Sequence, residues 1–202
     1  MSVMTDQIMK RVRGKGRGWV FTPRHLIDLG TRGSVDMALS RLVQAGSIRR
    51  IGRGLYDYPR LHPKLGALSP DPANVAAALA QQSGDKLAPS GATAANGLGI
   101  STQVPARTSY ATTGRTRTSQ AAGRKVVLRH SRAPVLDTAS DTGNAVLQAL
   151  THLGRDNVDD DIIRSFARRL DDRDMKALVQ ARPRMTGWMG DLILKIDDAR
   201  HG

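Results

Sequence analysis

The sequence predicts an α+β protein: an N-terminal winged helix-turn-helix followed by a mixed domain with a small antiparallel sheet and a helical C-terminal part. Three observations predict it. Apolar residues near the N-terminus recur at helical spacing between glycine stops, then give way to two β-prone runs about Gly52-Arg53-Gly54. The middle of the chain alternates as strands do, and the last third returns to helical periodicity with Asp at the helix starts. A length of 202 residues suits two modest domains, read here as 1–64 and 65–202.

The first helix starts at Ser2 or Thr5 and runs to about Arg13, with Ile8, Met9 and Val12 on one face and Gly14 and Gly16 as stops. Residues 14–18 read as a flexible basic loop. A dinucleotide loop needs a strand before it and a helix directly after it. Here a helix precedes and the apolar segment 19–21 follows, so that reading fails. Thr22-Pro23 is a capped start for a second helix ending at Gly30. Thr31 or Ser34 caps a third, to about Ala45, whose apolar stripe is Val35, Ala38, Leu39, Leu42 and Val43. Residues 47–51 and 55–58 then form a hairpin, with glycines supplying the positive φ of its turn.

Residues 58–72 are rich in Pro and Gly and read as a linker. A helix follows from Asp71-Pro72 to Gln82, then a short Ala-rich helix from the cap Ser90 to Asn96. Residues 107–112 alternate like a strand, and 115–120 with 125–131 form a hairpin about Ala122-Gly123. Four helices are expected at 141–153, 159–170, 171–181 and 185–198. Trp188, Leu192 and Ile196 make an apolar stripe, for core or dimer contact.

Aromatics are only 3% of the chain, so its core is built from Leu, Val, Ile, Ala and Met. There are 31 Lys plus Arg against 18 acidic residues, a net charge of +13. The acidic residues are all Asp, and Arg far outnumbers Lys, so part of this is compositional bias. Bias does not segregate charge. Residues 1–65 carry net +9, residues 66–140 net +5 and residues 141–202 net −1. A localised basic surface points to a polyanionic partner.

In the predicted winged helix, the third helix turns Arg32, Asp36, Met37, Ser40, Arg41 and Gln44 outward. Such a helix fits a major groove. Arg32 and Arg41 are candidates for guanine, Ser40 for a base or phosphate, and Met37 for a thymine methyl. Arg49, Arg50 and Arg53 decorate the wing, and Lys15, Arg17 and Arg24 are candidate phosphate contacts. The competing use of a winged helix is protein contact, with the arginines solvated. The charge of +9 weighs against it. A second basic surface is read at Arg107, Arg115, Arg117, Arg124, Lys125, Arg129 and Arg132. Strand alternation alone produces such a charged face, so ligand contact and plain solvation stand level there.

No enzyme signature is found. The five histidines are scattered, and no nucleophile elbow, phosphate loop or paired-carboxylate motif occurs. His130 lacks the carboxylate cluster a metal nuclease needs. Asp159, Asp160 and Asp161 are adjacent on a helix and do not converge on one ion. Catalytic residues, metal and cofactor are all expected to be absent. There is no Cys, no membrane-length apolar run and no signal-peptide pattern, so the cytoplasm is the expected location.

Two runs carry a family resemblance. Residues 29–42, LGTRGSVDMALSRL, followed by 46–56, GSIRRIGRGLY, resemble the N-terminal winged helix of the AbiEi family of antitoxins. Residues 87–105, LAPSGATAANGLGISTQVP, resemble the start of that family's second domain. The likeness covers about residues 5–132. It implies a bacterial transcriptional autorepressor that binds repeats in its own promoter. In a type IV toxin–antitoxin or abortive-infection system, a phage defence, it would counteract a nucleotidyltransferase-like toxin. The expected partner is double-stranded DNA, bound as a homodimer or by cooperative monomers. The alternative is an interaction module that neutralises the toxin by direct contact, with DNA binding secondary.

Overall fold

A computed structural model describes residues 3–102 and 109–201. The protein is α+β, in two compact units. One comprises Met1–Asp85 and Thr118–Val127, the other Lys86–Arg117 and Leu128–Gly202. The first unit thus extends past the expected boundary at 64/65 and includes a second chain segment.

Helix α1 spans Val3–Lys15 and buries Thr5, Ile8, Met9 and Val12. It runs through Gly14 and stops at Gly16, so Thr5 is an interior residue rather than a cap. Strand β1, Val20–Phe21, follows. The expected second α-helix is a single 3-10 turn, Pro23–Leu26. The Thr22 N–H donates to His25 Nδ1 at 3.1 Å, fixing its start. Arg11 ends it. Its guanidinium donates to the His25 carbonyl at 2.8 Å, the acceptor that a continuing α-helix would offer to Leu29. The Leu29 N–H bonds to the Leu26 carbonyl instead. Arg11 also makes a two-pronged pair with Asp28, both contacts at 2.6 Å, and these bonds hold the Asp28 carboxyl below the usual carboxylate range.

Helix α2, Arg32–Gln44, is capped by Thr31, whose Oγ1 accepts from the Ser34 N–H at 3.3 Å. Its buried stripe of Val35, Ala38, Leu39 and Leu42 meets Ile8, Met9 and Val12 of α1, with Phe21 and Leu26, in one core. Strands β2, Arg49–Gly52, and β3, Leu55–Asp57, form the expected hairpin. β1 adds to its far side, giving a three-stranded sheet in the order β1-β3-β2. Residues 58–72 are not featureless: β4, Leu61–His62, and β5, Gly66–Ala67, pair antiparallel.

Helix α3, Pro72–Ser83, has Asp71 as its cap, accepting from the Ala73 N–H at 2.8 Å. Its buried face of Val75, Ala76, Ala78, Leu79 and Ala80 packs toward β1, so it belongs to the first unit rather than the second.

The second unit holds β6, Leu87–Pro89, the short helix α4, Gly91–Gly97, capped by Ser90, and β7, Ser109–Thr112. β6 and β7 pair antiparallel. β8, Arg117–Ala121, and β9, Arg124–His130, make the expected hairpin, and the four strands order as β6-β7-β9-β8. Residues 118–127 of this hairpin are the segment that belongs to the first unit. The Ala122 N–H donates to the Ile51 carbonyl at 3.0 Å. A Cβ on Gly52 would lie 2.8 Å from the Gln120 carbonyl oxygen, so glycine is required there.

Helices α5, Asp141–Leu153, α6, Asp160–Ala167, α7, Asp172–Gln180, and α8, Gly187–His201, close the chain. Their core gathers Leu147, Leu150, Phe166, Leu178, Ile193 and Ile196, with Trp188 half-buried against it, which places the Trp188 stripe in the core. Asp174 is buried but fully engaged, accepting from the Ser140 N–H at 2.6 Å and its hydroxyl at 2.7 Å. Among the described residues, no helix is long and apolar enough to cross a membrane.

Ala122 holds φ at 48°, in the left-handed region that disfavours a Cβ. Ala122→Gly is expected to raise the unfolding free energy by about 1 kcal/mol. Gly52→Ala, against a backbone oxygen, is expected to lower it by ~1–3 kcal/mol. Urea denaturation followed by circular dichroism measures both.

Candidate nucleic-acid interface

Burial of one face of α2 decides what the other presents. Arg32, Met37, Ser40, Arg41 and Gln44 are exposed, and Met37 is 61% exposed. Arg32 Nε donates to Asp36 Oδ2 at 2.8 Å, one turn on. Both partners are open to solvent, so this bond is worth only ~0.5 kcal/mol and is readily exchanged for another anion.

The β2–β3 hairpin sorts its arginines by register. Arg49 lies opposite Asp57, and Arg50 opposite Tyr56. Paired residues share a face and successive residues alternate. Arg49 therefore faces Asp57, which is 1% exposed. Its Nε donates to Oδ1 at 3.0 Å and its Nη2 to Oδ2 at 2.5 Å. The guanidinium also reaches the Leu68 carbonyl at 2.6 Å. The expected wing contact Arg49 is thus an internal brace, because a buried carboxylate claims it.

Arg50 and Arg53 are exposed. They line a groove of about 650 Å³ together with Arg32, Asp36 and Ser40 of α2. Pro23, Gly54, Tyr56 and Gln82 complete its walls. Three arginines meet one carboxylate there, and that carboxylate is the one Arg32 holds. The groove can accept an extended anion with spaced charges.

The other expected contacts divide. Arg41 and Met37 stand on the exposed face of α2 outside the groove lining. Lys15 is exposed in the last turn of α1. Arg17 lies over the Tyr58 ring, 4.7 Å from its centroid, and donates to the Pro59 carbonyl at 2.9 Å. The Gly18 N–H donates to the Tyr58 carbonyl at 2.6 Å, so the loop expected to be flexible is tied at both positions. Arg24 donates to the Gln82 carbonyl at 2.8 Å, near the end of α3. Arg17 and Arg24 are both exposed, and each spends one guanidinium N–H on a neighbouring carbonyl.

The second basic set splits between the units. Arg124 and Lys125 belong to the first, and Arg115, Arg117, Arg129 and Arg132 to the second. Arg107 lies outside the described residues.

Sequence reasoning missed Tyr56 and Gln82 in the groove wall and Asp57 behind it. The hairpin register gave a signal for Asp57, since it sets opposite charges across from each other. Nothing marked Gln82, which α3 brings in from beyond the linker. Among the described residues, no three His or Asp side chains converge as a metal site would need.

The two neighbouring arginines separate by experiment. Arg49→Ala is expected to destabilise the protein by about 2–4 kcal/mol, because it strands a buried carboxylate. Arg50→Ala is expected to change stability by less than about 0.5 kcal/mol. Thermal and urea melts measure the difference, and equal losses would mean that Asp57 does not depend on Arg49.

No curated protein matches the sequence. Residues 7–178 match DUF6088, a family of unknown function, and that span takes in most of both units. The chain belongs to the DUF6088 family.

Proposed function

We propose that the first unit is a winged helix-turn-helix that binds duplex DNA, and that the chain is a sequence-specific transcriptional autorepressor. The observation that carries this reading is the groove where Arg32 and Ser40 of α2 face Arg50 and Arg53 of the hairpin. The element order supports it: helix, strand, helical turn, helix, hairpin, with sheet order β1-β3-β2. A single 3-10 turn serves as the positioning element, held by Arg11 and the Thr22–His25 bond.

In this reading α2 enters the major groove, with Arg41, Ser40 and Met37 toward base edges. Arg50 holds phosphate, and Arg53 at the hairpin turn meets phosphate or the adjacent minor groove. Arg32 releases Asp36 to take a phosphate or a guanine. The resemblance to AbiEi antitoxins adds a target, repeats in the chain's own promoter, and a partner, a nucleotidyltransferase-like toxin in the cytoplasm. The role is one of binding, not catalysis.

Fluorescence anisotropy with the upstream duplex and a random duplex of equal length tests this. Affinity for the upstream duplex should exceed that for random DNA by about 10³-fold or more. It should fall steeply with salt as counterions are released. Arg41→Ala should reduce the ratio by about tenfold. Arg50→Ala should weaken both duplexes alike and shallow the salt slope by about one. Equal affinity for the two duplexes, or unchanged binding after joint loss of Arg32, Arg50 and Arg53, would overturn the reading.

A further inference from the structure

The second unit contains a cavity that the DNA-binding reading does not use. Its volume is about 320 Å³, near the lower end of the range for small-molecule sites, roughly 300–1,000 Å³. Every residue that lines it belongs to this unit.

The lining has a consistent chemistry. Arg129, His130 and Arg132 enter from the end of β9 and the residues after it, and His152 from the last turn of α5. Among the described residues, no carboxylate lines it. Neither Arg129 nor Arg132 has an ion pair among the described residues. The His130 Nδ1–H donates to the Gly114 carbonyl at 3.0 Å, which orients the ring. Ala111 contributes an apolar wall. At Gly91 the two helices nearly touch: a Cβ there would lie 2.5 Å from His152 Cβ and 2.8 Å from the Gln148 carbonyl oxygen. The two helices thus close the cavity on that side.

Gln148 also lines the cavity and is only 3% exposed. Its Oε1 accepts from Ser131 Oγ at 2.8 Å, while its Nε2 is buried with no partner among the described residues. Turning the amide over exchanges the two atoms and leaves one of them unpartnered in either orientation. An unmatched buried amide is uncommon in a finished protein interior, and sites of binding are where such groups are kept.

We propose that this cavity binds a small organic anion, a phosphate monoester or carboxylate carrying one apolar ring. The guanidiniums of Arg129 and Arg132 hold the anionic group in the two-pronged geometry that arginine favours. The ring lies against Ala111 and the α4–α5 contact, and a polar atom of the ligand approaches the Gln148 amide. A volume of about 320 Å³ suits one ring and one anionic group, which is why the proposal commits to a small ligand.

Titration calorimetry tests this with phenyl phosphate, benzoate and inorganic phosphate, each at ionic strength matched with sodium chloride. Phenyl phosphate or benzoate should bind saturably at one site, about tenfold or more tighter than inorganic phosphate. Joint Arg129→Ala and Arg132→Ala substitution should weaken that binding by about tenfold or more. Joint Arg168→Ala and Arg173→Ala substitution removes the same charge from exposed positions at the end of α6 and in α7, and should change it by less than about twofold. All four arginines are exposed, so melting temperature should stay close to that of the parent in both variants. Absence of saturation with both ring anions would overturn the proposal. So would equal weakening by the two double variants, or equal affinity for inorganic phosphate. DNA affinity does not enter any of these readouts, so they stand apart from the autorepressor test.

Discussion

Asp57 is a carboxylate with almost no access to water, and it sits on the central strand of the first unit's sheet. An ion so placed is tolerable only if its oxygens are filled. Arg49 fills both, and its remaining reach to the Leu68 carbonyl fixes the chain after β5. One pair thereby ties β2, β3 and the approach to α3. Its consequence is geometric. With Arg49 facing Asp57, alternation sends Arg50 and Tyr56 to the opposite face, where they line the groove with α2. The same brace that neutralises a buried charge sets the presentation of an exposed one.

Arginines in this unit share a side chain and differ only in what surrounds them. Arg49 is claimed by a buried carboxylate and Arg17 by a tyrosine ring and a carbonyl. Arg11 bonds to a carbonyl of the helical turn and to Asp28. Arg32 holds an exposed Asp36 that solvent screens, and Arg50 and Arg53 face the groove. A net charge of +9 over residues 1–65 is therefore a poor count of the charge available to a partner. The charge that matters is the part left after internal partners are met, and in the groove that part comes from the hairpin and from one exchangeable pair.

Much of the fold was legible because its signals are local. Thr31, Asp71, Ser90 and Asp159 accept from the backbone N–H groups their positions imply, and Gly46 and Gly84 take the positive φ of a helix stop. The α5 limits match the expectation of 141–153. The failures are where distant residues decide. Where a second helix was expected there is a 3-10 turn, and its His25 carbonyl is taken by Arg11, fourteen positions earlier. Residues 58–72 looked like a linker, yet Arg49 pins Leu68 from another strand. The exposed face of α2 was read correctly since burial of one stripe dictates the other. The fate of Arg49 was not legible, because charge alone does not say which arginine a buried acceptor will claim.

The longest of these dependencies concerns the edge of the three-stranded sheet. Among the described strands β2 pairs on one side only, and an open edge invites pairing with other chains. Two devices act on it. The strand is irregular between Arg50 and Gly52, which interrupts a continuous ladder. The hairpin tip at residues 118–127 then comes alongside, with the Ala122 N–H on the Ile51 carbonyl and the Gln120 carbonyl against Gly52. This contact needs a left-handed residue at the tip, and the chain supplies it with Ala122 rather than Gly, at a cost of roughly 1 kcal/mol in backbone strain. It also needs a residue without a side chain at position 52. Neither requirement is visible as periodicity or charge, and the two positions lie about seventy residues apart. A domain boundary drawn from local composition was bound to miss them. Yet they hold β2 from its outer side, next to the turn that carries Arg53, so that arginine leaves for the groove from a turn whose first strand is braced on both flanks.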